Sequence, residues 1–460
     1  MQLYSQHQRI LDSHDGLGSH KRLAVRLCAI RLRVLFSVSM MLVGVAQSQV
    51  VAEDLGRVND GFTIPATDWP WWRGPSRNGT ASADQTPPLT WSERDNVEWK
   101  TSIPGRGHGS MCIVGDHIFL QTSDEANGAQ MVICLDRATG KELWTSTVHA
   151  SGGMRKNERS TAASSTPACD GKLVYVSFPN DNFLITSALD LRGKVIWQTK
   201  VSGYVEHQGY GASPALYQSI VIVSSDNKGG GAITALDCKS GSTVWTRERP
   251  EQPNYPSPVI LHVAGKDQVI MTGCDKVTSF EPMTGKTLWE IDGATTECVT
   301  STVTDGERVF SSGGYPRNHM SAIAADGSGK IEWENGTRLY VPWLLIYDGN
   351  LFGTLDAGIA VCWSSKTGVE QWKSRLGGNF SASPVLVGDR IYATNEGGET
   401  FVFQANPSGF VELAKNQLGG EVFSTPVICD SRIYYRAATI VDGVRKENLY
   451  CLSDRHSDSQ

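Results

Sequence analysis

Cys134-Leu135-Asp136-Arg137-Ala138-Thr139-Gly140-Lys141-Glu142-Leu143-Trp144 is the stretch on which the fold turns. The residues around Ile133–Leu135 alternate as a half-buried strand does. Asp136 to Gly140 read as a tight hairpin, with Asp bonding nearby amides and Gly supplying the positive φ. The strand that follows ends in tryptophan. The same element closes at Trp197, Trp245, Trp289, Trp333 and Trp372, each with glycine four residues earlier. A further copy, FQANPSGFVEL, places Leu413 where tryptophan is expected. The intervals are 53, 48, 44, 44, 39 and 41 residues. That period is the length of a four-stranded propeller blade.

An opening element recurs in phase. Ser165–Pro167 and Ser424–Pro426 read STP, Ala212–Pro214 and Ala382–Pro384 read ASP, and Pro256–Pro258 reads PSP. Gly109-Ser110, Ser301-Thr302 and Val341-Pro342 are weaker versions. Eight openings predict an all-β, eight-bladed β-propeller of four-stranded antiparallel blades. The last opening lacks a closing tryptophan strand. Asn96–Ser102 (NVEWKTS) supplies one, with Trp99 lying 45 residues before Trp144. This N-terminal strand is expected to complete the last blade and close the ring, which removes open sheet edges. Trp99, Trp144, Trp197, Trp245, Trp289, Trp333, Trp372 and Leu413 are the expected docking residues. A blade cannot bury both faces alone, so each needs a large side chain over its neighbour. One tryptophan hides roughly 150–250 Å², an upper bound of roughly 4–6 kcal/mol per blade.

The chain has 460 residues, 47 glycines and a formal charge of −6, which suits a turn-rich globular protein and no basic nucleic-acid footprint. Residues 1–50 read as an export signal with a long basic front end. Lys21, Arg22, Arg26, Arg31 and Arg33 precede the apolar run Val34–Val45, which is short for a membrane span. Residues 51–95 form an extension, 96–455 the propeller and 456–460 a tail. An extracytoplasmic, periplasmic monomer with no transmembrane span after signal removal is expected. The spacing of the ten cysteines includes no C-x-x-C and no adjacent pair. Cys134, Cys362 and Cys451 align with Ala188 and Ala235 at a small buried position, where cysteine acts as a small hydrophobe.

The repeat A-x-D-x-x-T-G-x-x-x-W resembles the tryptophan-docking motif of the pyrroloquinoline-quinone (PQQ)-like propellers. Trp69-Pro70-Trp71-Trp72-Arg73-Gly74-Pro75-Ser76-Arg77-Asn78-Gly79 is similar to a W-P-x-W-R-G-P-x-R-x-G stretch that precedes many bacterial propellers of this kind. The superfamily includes quinoprotein alcohol dehydrogenases and the non-enzymatic propeller of the outer-membrane assembly machinery. The resemblance to the dehydrogenases implies PQQ beside calcium, with a catalytic Asp and often a pair of adjacent cysteines. The sequence has no such pair and no recognisable acidic calcium cluster. The resemblance therefore points toward the assembly propeller.

Blade topology sets two groups of loops on one face: those entering each opening strand and those joining second and third strands. Arg106, His108, Arg159, His207, Gln208, Tyr210, Tyr255, Tyr340, Trp343, Asn379 and Glu421 are the candidate channel-mouth residues. Glu297 occupies a similar place, and the loop residues Asn180, Arg317 and His319 could join them. His108, His207 and His319 come from different blades and lack close metal-ligand spacing, so no metal is assigned. No nucleophile elbow, zincin motif or P-loop is present, and no catalytic residue is assigned. The expected role is non-catalytic, the binding of a protein or extended ligand in the cell envelope, without a cofactor. A PQQ-and-calcium oxidoreductase and a glycan-binding or hydrolytic propeller are the alternatives.

Overall fold

The computed structural model describes residues 58–154, 157 and 159–454. The expected export signal and the tail 456–460 lie outside them. The described residues form 33 strands and no helix. They make eight sheets. Seven are consecutive meanders, blades 1 to 7, at residues 111–149, 168–203, 215–249, 259–292, 303–335, 345–375 and 385–417. Blade 8 takes three strands from residues 427–452 and its fourth from Val97–Ile103. In that antiparallel pair Trp99 faces Cys451 and Thr101 faces Leu449. The Ser453 amide donates to the Asn96 carbonyl at 3.0 Å, so the first and last strands of the ring are tied together.

First strands of successive blades touch one another, which puts the Ser/Thr-Pro openings around the axis. Their hydroxyls have a structural task there. A first strand faces the channel with amides that no further strand can pair. The Ser110 amide donates to Thr166 Oγ1 (3.1 Å), Thr166 to Ser213 Oγ (3.0 Å), Ser213 to Ser257 Oγ (2.8 Å) and Ser383 to Thr425 Oγ1 (3.0 Å). Ser110 Oγ ties blade 1 back to blade 8 by donating to the Thr425 carbonyl at 2.6 Å. In blade 6 Trp343 stands at this place, and its amide still donates to Ser383 Oγ at 3.2 Å.

The outer seam belongs to the docking tryptophans. Indole Nε1 of Trp99, Trp144, Trp197, Trp245, Trp333 and Trp372 donates to the carbonyls of Arg137, Leu191, Cys238, Pro282, Ser365 and Asn406 respectively, at 2.7–3.2 Å. Each acceptor sits in the last hairpin of the following blade. The hairpin glycine has two duties. Gly140 has φ 68°, and a Cβ there would also meet the Trp99 ring at 2.5 Å. Across the sheet from the tryptophans stand the small residues Cys134, Ala188, Ala235, Cys362 and Cys451. The nine described cysteines are all buried and free. Burial pushes the Cys134 and Cys362 thiols up to about 12.

Two seams depart from the pattern. Trp289 Nε1 donates to Gln268 Oε1 at 2.8 Å, and Gln268 Nε2 donates to the Ala325 carbonyl at 3.0 Å. One glutamine thus relays the usual indole-to-carbonyl bond. The expected docking role of Leu413 is corrected. Gln404 pairs with Val411 across a longer hairpin, so the position opposite Val402 falls to Ala414. Leu413 is the bulged residue and is 37% exposed. The missing indole comes from the extension. Trp91 is buried in the same apolar cluster that Ala414 packs against, stacked on Tyr392 at 6.4 Å. Its amide donates to Asn416 Oδ1 at 2.9 Å.

The extension also seals one end of the channel. Trp69 pairs with Ile113 of blade 1, and the Cys169 amide of blade 2 donates to the Pro70 carbonyl at 2.8 Å. Arg77 donates to the Leu216 carbonyl of blade 3 at 2.7 Å. Arg73 donates to the Leu344 (3.0 Å) and Pro384 (2.8 Å) carbonyls beside blades 6 and 7. Thr80–Ala81 then adds a parallel strand to blade 7. Blades 3 and 7 face each other in a ring of eight, so the chain between these contacts crosses the axis.

Candidate functional site

With one end crossed by the extension, the channel is a cup with one mouth. Its cavity measures about 790 Å³. Trp72 and Trp343 line its depth, and their rings meet edge-on at 5.4 Å. Beneath them Arg73 is 1% exposed and lies 5.3 Å from the Trp343 ring. Burial pushes its guanidinium down to about 9, so it is charged at neutral pH.

Most of the expected mouth residues converge on this cavity. His108, Arg159, His207, Gln208, Tyr210, Tyr255, Tyr340, Trp343 and Asn379 line it, and so does Glu297. Arg106 and Glu421 do not. They pair with each other at 3.6 Å, Arg106 also reaches Glu125 and Glu421 also holds Arg445. Mutual ion pairing keeps both out of the cavity lining. Asn180 is likewise turned aside, donating to Gln130 Oε1 and the Ser151 carbonyl. His319 sits in blade 5 against Glu334 at 3.3 Å and does not line the cup, so the three histidines do not converge. Arg317 is exposed and also lies outside the lining.

Several loops of the wall are pinned. Asp356 spends both carboxylate oxygens on backbone, accepting the amides of Tyr340 (2.9 Å) and Val341 (3.2 Å). Glu396 accepts Ser381 Oγ at 2.6 Å and Arg159 Nη2 at 3.3 Å. The loop carrying Glu297 is fixed from behind. The Cys298 amide donates to Asn254 Oδ1 (2.9 Å), whose Nδ2 donates to Asp226 Oδ2 (2.9 Å), itself paired with Arg249 (3.0 Å). Among the described residues the Glu297 carboxylate meets His207 Nε2 and the Tyr255 hydroxyl, both at the long distance of 3.5 Å. Burial raises its affinity for a proton, and burial together with Glu297 raises that of Tyr255 and Tyr340. His108 stacks on Phe423 at 4.2 Å. Burial, then the Arg106, Arg436 and Arg445 guanidiniums, hold it well below the usual histidine range. It is therefore a neutral ring.

Residues that the sequence reading missed fall into two groups. Asp356 and Glu396 lie in loops between second and third strands, a loop set already expected on this face, so their signal was available. Arg338 and Phe423 lie within two residues of Tyr340 and Glu421 and were equally accessible. Trp72 was not, because nothing in a local motif says that a segment before the ring crosses the axis.

The resemblance to the dehydrogenases implies a calcium-bound quinone. Such a pair needs several oxygens converging on one ion. Among the described residues no three His, Cys, Asp or Glu side chains come together as ligands. Asp356 and Glu396 are engaged as above.

Ring, docked tryptophans and crossed channel define a PQQ-like propeller with a cup at the open end of its channel. A family model described as outer membrane protein assembly factor BamB matches residues 128–374, and the chain belongs to that family. It is similar to a polyvinylalcohol dehydrogenase of Sphingopyxis sp. (strain 113P3), 24% identical over 365 residues, 75% of this chain and 48% of that protein. The chain thus spans about half the length of that relative. Among solved structures it is similar to BamB from Moraxella catarrhalis, with TM-score 0.54 and 15% identity over 79% of this chain and 99% of that one. A europium-containing methanol dehydrogenase gives TM-score 0.59 at 11% identity, over 85% and 98% of the two chains. At these identities the structural likeness is one of fold.

Proposed function

We propose that this chain is a non-catalytic, extracytoplasmic propeller that binds a segment of a protein or another extended ligand in its cup. One observation carries this reading. The cavity is crossed at one end by the extension and several of its wall loops are pinned, so it would receive a loop or chain end with little ordering cost on the receptor side. The acidic groups Asp356 and Glu396 hold the wall together, which is a scaffold's use of carboxylates. The family membership supports a binding role in the envelope. No helix among the described residues is long and apolar enough to cross a membrane.

The test places a photo-activatable side chain at Gln208 or Asn379, both exposed at the mouth, and at Lys373 on the outer circumference. In intact cells the two mouth positions are expected to give discrete adducts and the outer position none. Equal labelling at all three positions, or none at the mouth, overturns the reading. The dehydrogenase relatives favour a second reading, oxidation of a hydroxylated chain. Stoichiometric PQQ uptake on titration with calcium, followed by absorbance, would establish that reading instead.

A further inference from the structure

Glu297 stands apart from the other carboxylates of the cup. It is 9% exposed and lines the cavity, yet its partners lie at the outer limit of hydrogen-bond distance, both at 3.5 Å. Taking a carboxylate out of water is costly unless close hydrogen bonds or an opposite charge replace the water. Asp356 and Glu396 have close partners at 2.6–2.9 Å; Glu297 has none so close among those described above. The backbone of its loop is fixed by the Cys298–Asn254–Asp226–Arg249 chain. Two phenol rings, Tyr255 and Tyr340, neighbour it. Ring faces attract cations, and Tyr340 already carries one, with the Arg338 guanidinium 5.2 Å from its centroid. The groups acting on Glu297 are thus His207, Lys228, Tyr255 and Tyr340.

We propose that Glu297, with Tyr255 and Tyr340, forms a subsite for a lysine or arginine side chain of a protein segment entering the cup. This rests on the reading of the cup as a binding site. The bound cation supplies the close counter-charge that the carboxylate lacks, and the two rings cover its apolar stem. The formal charge of −6 favours approach of such a segment.

The test titrates the full chain with acetyl-Gly-Lys-Gly-amide, its arginine counterpart and the norleucine peptide, which keeps the stem and drops the charge. The basic peptides are expected to bind roughly tenfold more tightly than the norleucine peptide. Glu297→Gln should abolish that preference, and Glu297→Asp should keep part of it, with a single cooperative unfolding transition retained in both as the control for folding. The lysine peptide should also suppress the adducts at Gln208. Equal affinity for lysine and norleucine peptides, or a preference that survives Glu297→Gln, overturns the subsite. Mouth adducts that form normally but ignore the lysine peptide overturn the subsite and leave the cup standing. Absence of any mouth adduct removes the cup reading itself.

Discussion

The two ends of the channel use charge in opposite ways. At the sealed end the buried cations have short bonds: Arg73 donates through its two terminal nitrogens to the Pro384, Leu344 and Asn78 carbonyls, and Arg77 binds Asp60 at 2.9 Å and covers Trp71 at 4.2 Å. Even the neighbouring glycine serves that packing, since a Cβ on Gly79 would meet Arg73 Cζ at 2.2 Å. At the open end Glu297 is buried with long contacts. The sealed end therefore holds its cations through short bonds, and the open end holds Glu297 through long ones.

The strongest way to break the comparison removes both ends together. Deleting residues 96–102 strips the fourth strand from blade 8 and exposes the edge at Leu449–Leu452. The cooperative thermal transition should fall drastically or vanish. An unchanged transition would mean that this strand does not hold the ring. Next, Arg73→Met keeps the stem and leaves three carbonyls without their donor. A loss of roughly 3–5 kcal/mol in denaturant unfolding is expected, as for other uncompensated buried partners. A loss below about 1 kcal/mol would show that the sealed end is not charge-organised. The smallest effect has the opposite sign. Burial raises the Glu297 carboxyl above its ordinary value of 4.5, so the folded state binds that proton more readily than the unfolded state. Its contribution is most favourable below the ordinary value and is lost as pH rises through the raised one. At pH 7 Glu297→Gln should therefore raise the melting temperature, by about 1–2 °C, and at about pH 4 the gain should disappear. A fall at pH 7 would mean that Glu297 is already well compensated.

Much of the ring was legible before any coordinates. Tryptophan spacing, hairpin glycines and Ser/Thr-Pro openings are local patterns repeated often enough to reinforce one another. Their physical duties were only half visible. The opening hydroxyls of Thr166, Ser213, Ser257 and Thr425 turn out to pair the inner amides of the adjacent blade. Leu413 misled because the hairpin from Gln404 to Val411 is longer than the others, and counting residues through it shifts the register by one. Arg106 and Glu421 were placed near the right face, but the ion pair they make is invisible without distances.

What the chain's order of residues determined alone is the count of blades, the identity of seven docking tryptophans and the loops that would gather at one mouth. These follow from short-range periodicity, which survives in one dimension. Only the tertiary structure decided that the extension crosses the axis, that Trp91 stands in for an absent indole, and that Glu297 is buried with long contacts while Asp356 is saturated. Those facts depend on atoms hundreds of positions apart coming within a few ångströms, and no local pattern encodes that meeting.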